Sequence, residues 1–249
     1  MIKCRIICYL FCCLLLSTAS HAEEPFREFS NPEGATIKAR PIGIYGDKVR
    51  LEFADQREMN VALDFFSKKD AAFLKQWAIV FLSSQERLLE VDVQRKKVVT
   101  ADYKRDVKLT DGSVVEDALE IREIDGFYEI TLENRSDFDL SSIVVEYRVF
   151  SEQDHRGKVD RDDVNYIRAV GSLSYKLAPD AVLTQSTKPV KLEETELGKG
   201  ITWSGGGELS TDAKLIGIWF RIYSDDSMLL EFAQPSTLPK REQWAAGKK

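Results

Sequence analysis

The sequence predicts a mainly β fold in two parts, a small barrel-like unit closed by one helix and a larger antiparallel sandwich. Three observations carry this. Short runs alternate apolar and polar residues with period two, as in Val49, Leu51, Phe53 and again in Tyr128, Ile130, Leu132. Turn-forming clusters such as Asn31-Pro32-Glu33-Gly34 and Ser224-Asp225-Asp226-Ser227 separate those runs. Helical spacing of apolar residues occurs clearly in one place, after Ser67. Period two places one face of a strand inward, whereas a stripe at three and four does so for a helix.

In the first unit an extended run from Thr36 to Tyr45 precedes Gly46-Asp47, which reads as a two-residue hairpin turn with glycine at the positive-φ position. Val49, Leu51 and Phe53 point one way from the next strand, and Met59, Val61 and Leu63 share a face of the third. Ser67 is an N-cap with Asp70 three residues on, a variant of the capping box. Phe73, Leu74 and Trp77 form the apolar stripe of the helix that follows. Trp77 is read as a structural residue covering the strands.

Three segments of this unit match a known pattern in order and spacing: Phe26-Arg27-Glu28-Phe29, Gly46-Asp47-Lys48-Val49-Arg50-Leu51, and the run from Phe66-Ser67 to Gln76-Trp77. Together they resemble the Sla1 homology domain 1 (SHD1), a small SH3-like module, over about a fifth of the chain. Two positions depart from it: Asp55-Gln56 stands where the family has Asp-Gly, and Phe66-Ser67 where it has Leu-Ser. The resemblance implies an SH3-like barrel that binds proteins or peptides and can self-associate. In eukaryotic endocytic adaptors the module takes Asn-Pro-Phe-x-Asp peptides; no motif here carries ligand-contacting residues across. The unit spans residues 23–78, a helical linker 79–87 follows with Ile79, Phe81 and Leu82, and residues 88–249 form the second unit.

That second unit reads as β throughout. Val145, Tyr147 and Val149 alternate with Glu146 and Arg148, and Ile216, Ile218, Phe220 and Ile222 alternate with Gly217, Trp219, Arg221 and Tyr223. Many short strands with turn signals between them predict an antiparallel sandwich of immunoglobulin or fibronectin architecture.

The N-terminus carries Lys3 and Arg5, an apolar run from Ile6 to Leu16, and Ser20-His21-Ala22. This is a signal-peptide pattern with cleavage after Ala22, and the apolar run is short for a membrane span. All four cysteines (Cys4, Cys8, Cys12, Cys13) lie inside it. An exported product therefore has no disulfide, thiolate nucleophile or cysteine metal site. Loss of residues 1–22 lowers the 35 basic residues to 33 against 41 acidic ones, taking the net charge from −6 to −8. Such an acidic surface argues against nucleic acid or anionic lipid as a partner.

Residues that could carry chemistry are few. His155 is the single histidine after the signal, in the polar stretch Glu152–Gly157. Gly198-Lys199-Gly200 and Gly205-Gly206-Gly207 lack the Gly-Lys-Ser/Thr and helix of a phosphate loop and read as loops. Asp154, Asp160, Asp162 and Asp163 are carboxylates a hard cation could use, but they lack the spacing of a calcium loop and alternate with Arg156, Lys158 and Arg161. Asn134-Arg135-Ser136 fits a glycosylation acceptor by chance. Of Trp203, Trp219 and Trp244, Trp219 lies opposite the apolar face of its strand and is the aromatic expected at the surface. The expected function is thus an exported, periplasmic or secreted, non-catalytic adaptor or scaffold of the bacterial envelope, without cofactor or metal. A carbohydrate-binding sandwich for polysaccharide is the alternative. N-terminal sequencing of the native protein should find Glu23 first; recovery of an intact Met1 product from the cytoplasm would refute export.

Overall fold

The structure, a computed structural model, describes residues 24–154, 164–202, 206–241 and Trp244. Residues 1–22, His155, Asp160, Asp162, Asp163, Trp203 and Gly205 lie outside these residues. Strands make up 62% and helices 11%, so the chain is mainly β, with antiparallel sheets.

The first sheet holds β1 (Arg27–Ser30), β2 (Thr36–Tyr45), β3 (Lys48–Phe53) and β4 (Glu58–Ala62) in that order. It is an open path with β1 and β4 as its edges rather than a closed barrel. Tyr45 pairs with Lys48, leaving Gly46-Asp47 as the two-residue turn, and Gly46 takes φ 58°. At the next turn Gln56 adopts φ 65° in place of a glycine, and Asp55 holds it by accepting from Arg57 N at 3.2 Å. Val49 and Leu51 are fully buried, as their alternation predicts. Met59 departs from it: β4 is an edge strand, and Met59 is 45% exposed.

A 3₁₀ turn (Leu63–Phe65) leads into α1 (Lys68–Ser84), capped by the Ser67 hydroxyl accepting from Asp70 N. The Asp70 carboxylate does more than cap. It accepts from Ser30 N (2.9 Å), Ser30 Oγ (2.8 Å), Ser67 Oγ (2.9 Å) and Arg27 Nη2 (3.2 Å), tying β1 to the start of α1. Burial pushes this carboxyl up, but the Ser30 and Ser67 donors and the Arg27 charge outweigh it and hold Asp70 below the usual range.

The helix is buried on more than one side. Leu74, Trp77 and Ala78 join Phe29, Ala39, Ile44, Val49 and Leu51 in the core, while Ile79 and Leu82 are buried as well. Ser83 Oγ donates to Leu229 O at 2.6 Å, joining the helix to the second unit. Segment 79–87 is therefore only partly a linker in the ordinary sense. α1 runs to Ser84 and ends in paired bonds, Arg87 N to Leu82 O and Glu86 N to Ser83 O, with Glu86 at φ 56° in the left-handed position usually given to glycine.

Two further sheets follow. One holds β5 (Leu89–Lys108), β6 (Val114–Asn134), β10 (Val190–Leu197) and β11 (Ser210–Thr211) in the order β11-β10-β6-β5, with β9 (Val182–Ser186) also on β6. The other runs β13-β12-β7-β8, from β7 (Leu140–Asp154), β8 (Val164–Leu177), β12 (Ala213–Ser224) and β13 (Ser227–Gln234). Tyr128, Ile130 and Leu132 of the first share one core with Val145, Tyr147, Val149, Ile218, Phe220 and Ile222 of the second, and that core is continuous with the one around α1. Polar ties cross it. Tyr175 OH donates to Ile130 O at 2.9 Å, and Gln153 bonds both Glu193 N (2.8 Å) and Glu193 O through its side-chain amide.

Asn134 is fully buried, its amide donating to Phe138 O, Leu177 O and Ala178 O and its oxygen accepting from Ser136. The side chain a glycan would need is thus spent inside the fold. Among the described residues no helix is long and apolar enough to cross a membrane.

Two outcomes follow from α1. Asp70→Ala takes this acceptor from Ser30 N and Arg27 and leaves Ser30 Oγ with Ser67 Oγ, and it should cost about 1–3 kcal/mol at pH 7. Because the folded carboxyl is depressed, its contribution is present above the unfolded value of about 3.9 and is lost as pH falls through the folded one. Urea unfolding should therefore show the gap between variant and parent closing towards pH 2; a gap unchanged by pH would refute the role. Trp77 is 9% exposed and stacks on Phe81 at 4.8 Å. Trp77→Ala should cost about 3–5 kcal/mol, as for other large buried aromatics, and thermal unfolding measures it.

Candidate functional site

Outward residues of the first sheet, together with Met59 where the inner face of β4 is left exposed, build the candidate site. On β3 the residues between Val49, Leu51 and Phe53 face away from the core, so Arg50 stands on the outer face opposite Asn60 of β4. Arg50 pairs with Glu58, and both side chains stay about two-fifths exposed. Glu58 first, and the Tyr45 hydroxyl second, raise the Arg50 guanidinium above its ordinary value. Tyr45 ends β2 with 59% of its surface exposed, its ring edge lying over Gly43. Tyr45, Arg50, Glu58, Met59 and Asn60 together line an open depression of about 400 Å³ beside the β4 edge. An aromatic ring, a thioether, an amide and a paired charge next to a free strand edge suit a peptide: the edge offers backbone groups and the side chains offer contacts. Further along that face Arg40 pairs with Glu52 at 2.8 Å and lies under the Phe26 ring.

Clefts also lie elsewhere among the described residues. Asp47, Asp64, Asp137 and Lys75 rim one of about 430 Å³ over Leu63, Ala71 and Phe138, where the helical unit meets the larger sheets. Asp102, Glu120, Glu194, Glu196 and Asp212 line another of about 290 Å³. Arg122 reaches Asp102 (3.5 Å) and Glu194 (3.8 Å) there, and Lys97 also pairs with Glu194. Asp102, Glu120 and Glu194 are paired with cations across the sheet, and among the described residues no group of three or more potential ligands is placed to hold a metal ion.

Of the residues singled out in the sequence, those within the described residues do not converge. Asp154 ends β7, where it accepts from Asp212 N at 2.9 Å and donates its own N–H to Asp212 O. Gly198-Lys199-Gly200 forms a turn closed by Ile201 N to Gly198 O, and strand β11 follows instead of the helix a phosphate loop needs. Gly206 and Gly207 are exposed at positive φ.

Trp219 corrects an expectation. The alternation on β12 places it on the outer face, yet it is 3% exposed. The chain returns over that face after β13, and Leu238, Phe150 and Trp244 pack around the indole. Nothing in the local pattern around Trp219 signals this, because the covering residues come some twenty positions later. The signal that could have found it is Leu238 and Trp244 themselves, two bulky apolar residues in an otherwise polar tail.

No protein-family model matches the chain, and no curated protein matches it.

Proposed function

We propose that the chain is an exported, non-catalytic protein-binding adaptor or scaffold of the bacterial envelope. In this reading the first sheet and α1 form an SH3-like docking module of the SHD1 kind, which carries the peptide-binding surface. The two larger sheets are an immunoglobulin-like spacer, and the division between the units falls within residues 78–88. The observation that carries the reading is the depression at the β4 edge, where Tyr45 and Met59 are 59% and 45% exposed beside the Arg50–Glu58 pair. Large side chains are left in solvent there although the neighbouring β3 buries Val49 and Leu51 completely. The signal-like residues 1–22 support export. The carbohydrate reading needs an exposed line of aromatics that includes Trp219, and the covering of Trp219 weighs against it.

Tyr45→Ser combined with Met59→Ser should change stability by less than about 0.5 kcal/mol, since both side chains are exposed. The same double variant, used as bait for envelope extracts, should lose a protein that the parent captures, and added polysaccharide should not release it. Equal capture by both baits, or release by polysaccharide, would defeat the adaptor reading at this face.

A further inference from the structure

The outer face of a two-sheet unit is ordinarily polar, but the middle of the β13-β12-β7-β8 sheet is not. Phe150 of β7 and Trp219 of β12 are both buried on that side, and the chain's own end buries them. Beyond Gln234 it turns through Pro235 and a single helical turn, α2 (Leu238–Arg241), back across the sheet. The crossing needs bare backbone at Gly217, where a β-carbon would overlap Gln234 O and Leu238 Cδ1 and come within 2.9 Å of Pro235 Cδ.

Among the described residues, two side chains of this strap pack on the sheet. Leu238 is 1% exposed among Phe150 and Trp219. Trp244 meets Trp219 edge-on at 4.9 Å, with the Arg148 and Arg221 guanidiniums 4.4 Å and 4.6 Å from its ring centre. The receiving groups are set by the sheet itself. Glu231 accepts from Trp219 Nε1 (2.9 Å) and from Arg221 Nε (2.8 Å), fixing both before any occupant arrives. By contrast, the strap's backbone bonds Leu238 N to Pro235 O and Lys240 N to Thr237 O close only its own turn. A segment anchored by side chains opens at lower cost than a strand in its ladder.

We propose that this face is a peptide-docking site which the chain fills with its own C-terminal strap. One subsite takes an aliphatic side chain beside Gly217. The other takes an aromatic ring, six residues further on, between Arg148 and Arg221 against Trp219. A guanidinium is attracted to an aromatic face by the ring's quadrupole, so the second subsite selects rings. Tethering gives the strap a millimolar-range effective concentration, which holds off free peptides of the same pattern. The site lies on a different sheet from the Tyr45 depression and stands or falls independently of the adaptor reading.

The test uses the mature chain with Leu238→Ser and Trp244→Ser, titrated calorimetrically with a synthetic peptide of residues 235–249. Saturable one-to-one binding is expected, at least ten-fold tighter than to the unsubstituted protein. The same peptide carrying Trp244→Ala should bind at least ten-fold more weakly. A folded double variant that does not bind, a parent that binds equally well, or a peptide indifferent to its tryptophan would each overturn the proposal. If the double variant does not fold, hydrogen exchange on the parent decides. The Leu238 and Lys240 amides should exchange at least ten-fold faster than those of Ile218 to Ile222, and equal protection would overturn it.

Discussion

Most of this fold hangs on one strand with more than one partner on the same edge. β6 pairs with β5 along one side, and its other side is shared by β10, opposite Leu119 to Gly126, and β9, opposite Glu129 to Glu133. The gap between them falls at Tyr128, whose backbone would otherwise be unpaired in the core. Thr187 fills it: its N–H donates to Tyr128 O at 2.8 Å and its hydroxyl accepts from Tyr128 N at 3.0 Å. A buried backbone group left without a partner costs about as much as a lost hydrogen bond. One threonine thus lets two short strands act as a single neighbour.

The same strand changes which face it buries. Leu119 and Ile121 are buried at odd positions, then Ile124, Tyr128, Ile130 and Leu132 at even ones. The change lies beside the register shift at Val99/Ala101 of β5. Beyond it, Leu119, Ile121 and Leu197 form a small cluster of their own with Val107 and Ile201. On β5 the inner positions past Val93 are Arg95 and Lys97, which donate to Leu215 O (3.1 Å) and Ala213 O (2.9 Å) across the core's rim. Cations there meet carbonyls of β12 at its own irregularity between Leu215 and Gly217.

These details mark where the sequence was readable. Strands with one buried face, such as Tyr128–Leu132 and Val145–Val149, were legible because the period of two is enforced by the core. So were the Gly46-Asp47 turn and the Ser67 cap, whose chemistry is local. The helix was legible as a helix but not in its surroundings. Leu74, Trp77, Ala78, Ile79 and Leu82 cover too much of its circumference for a surface helix, because burial comes from two sides. Trp219 was misread for a related reason, since the cover comes from a distant segment that leaves no trace in β12. The depression at Tyr45 and Met59 was equally hidden: Met59 fits the inward pattern, and only the edge position of β4 exposes it.

The β5–β6 hairpin has one more consequence, in the hydrodynamics of the molecule. Its pairing runs from Leu89 opposite Asn134 to Lys108 opposite Val114. At about 3.3 Å per residue that ladder is roughly 65 Å long. A compact domain of about this chain's length would have a radius of gyration of roughly 17–18 Å, hence a diameter of roughly 45 Å. A single hairpin therefore exceeds the width of the sphere its residues could fill. Along its contour the ladder is long enough to raise the frictional ratio above that of a sphere, and the bulges at Val99/Ala101 and Arg105/Val107 set how far it bends back.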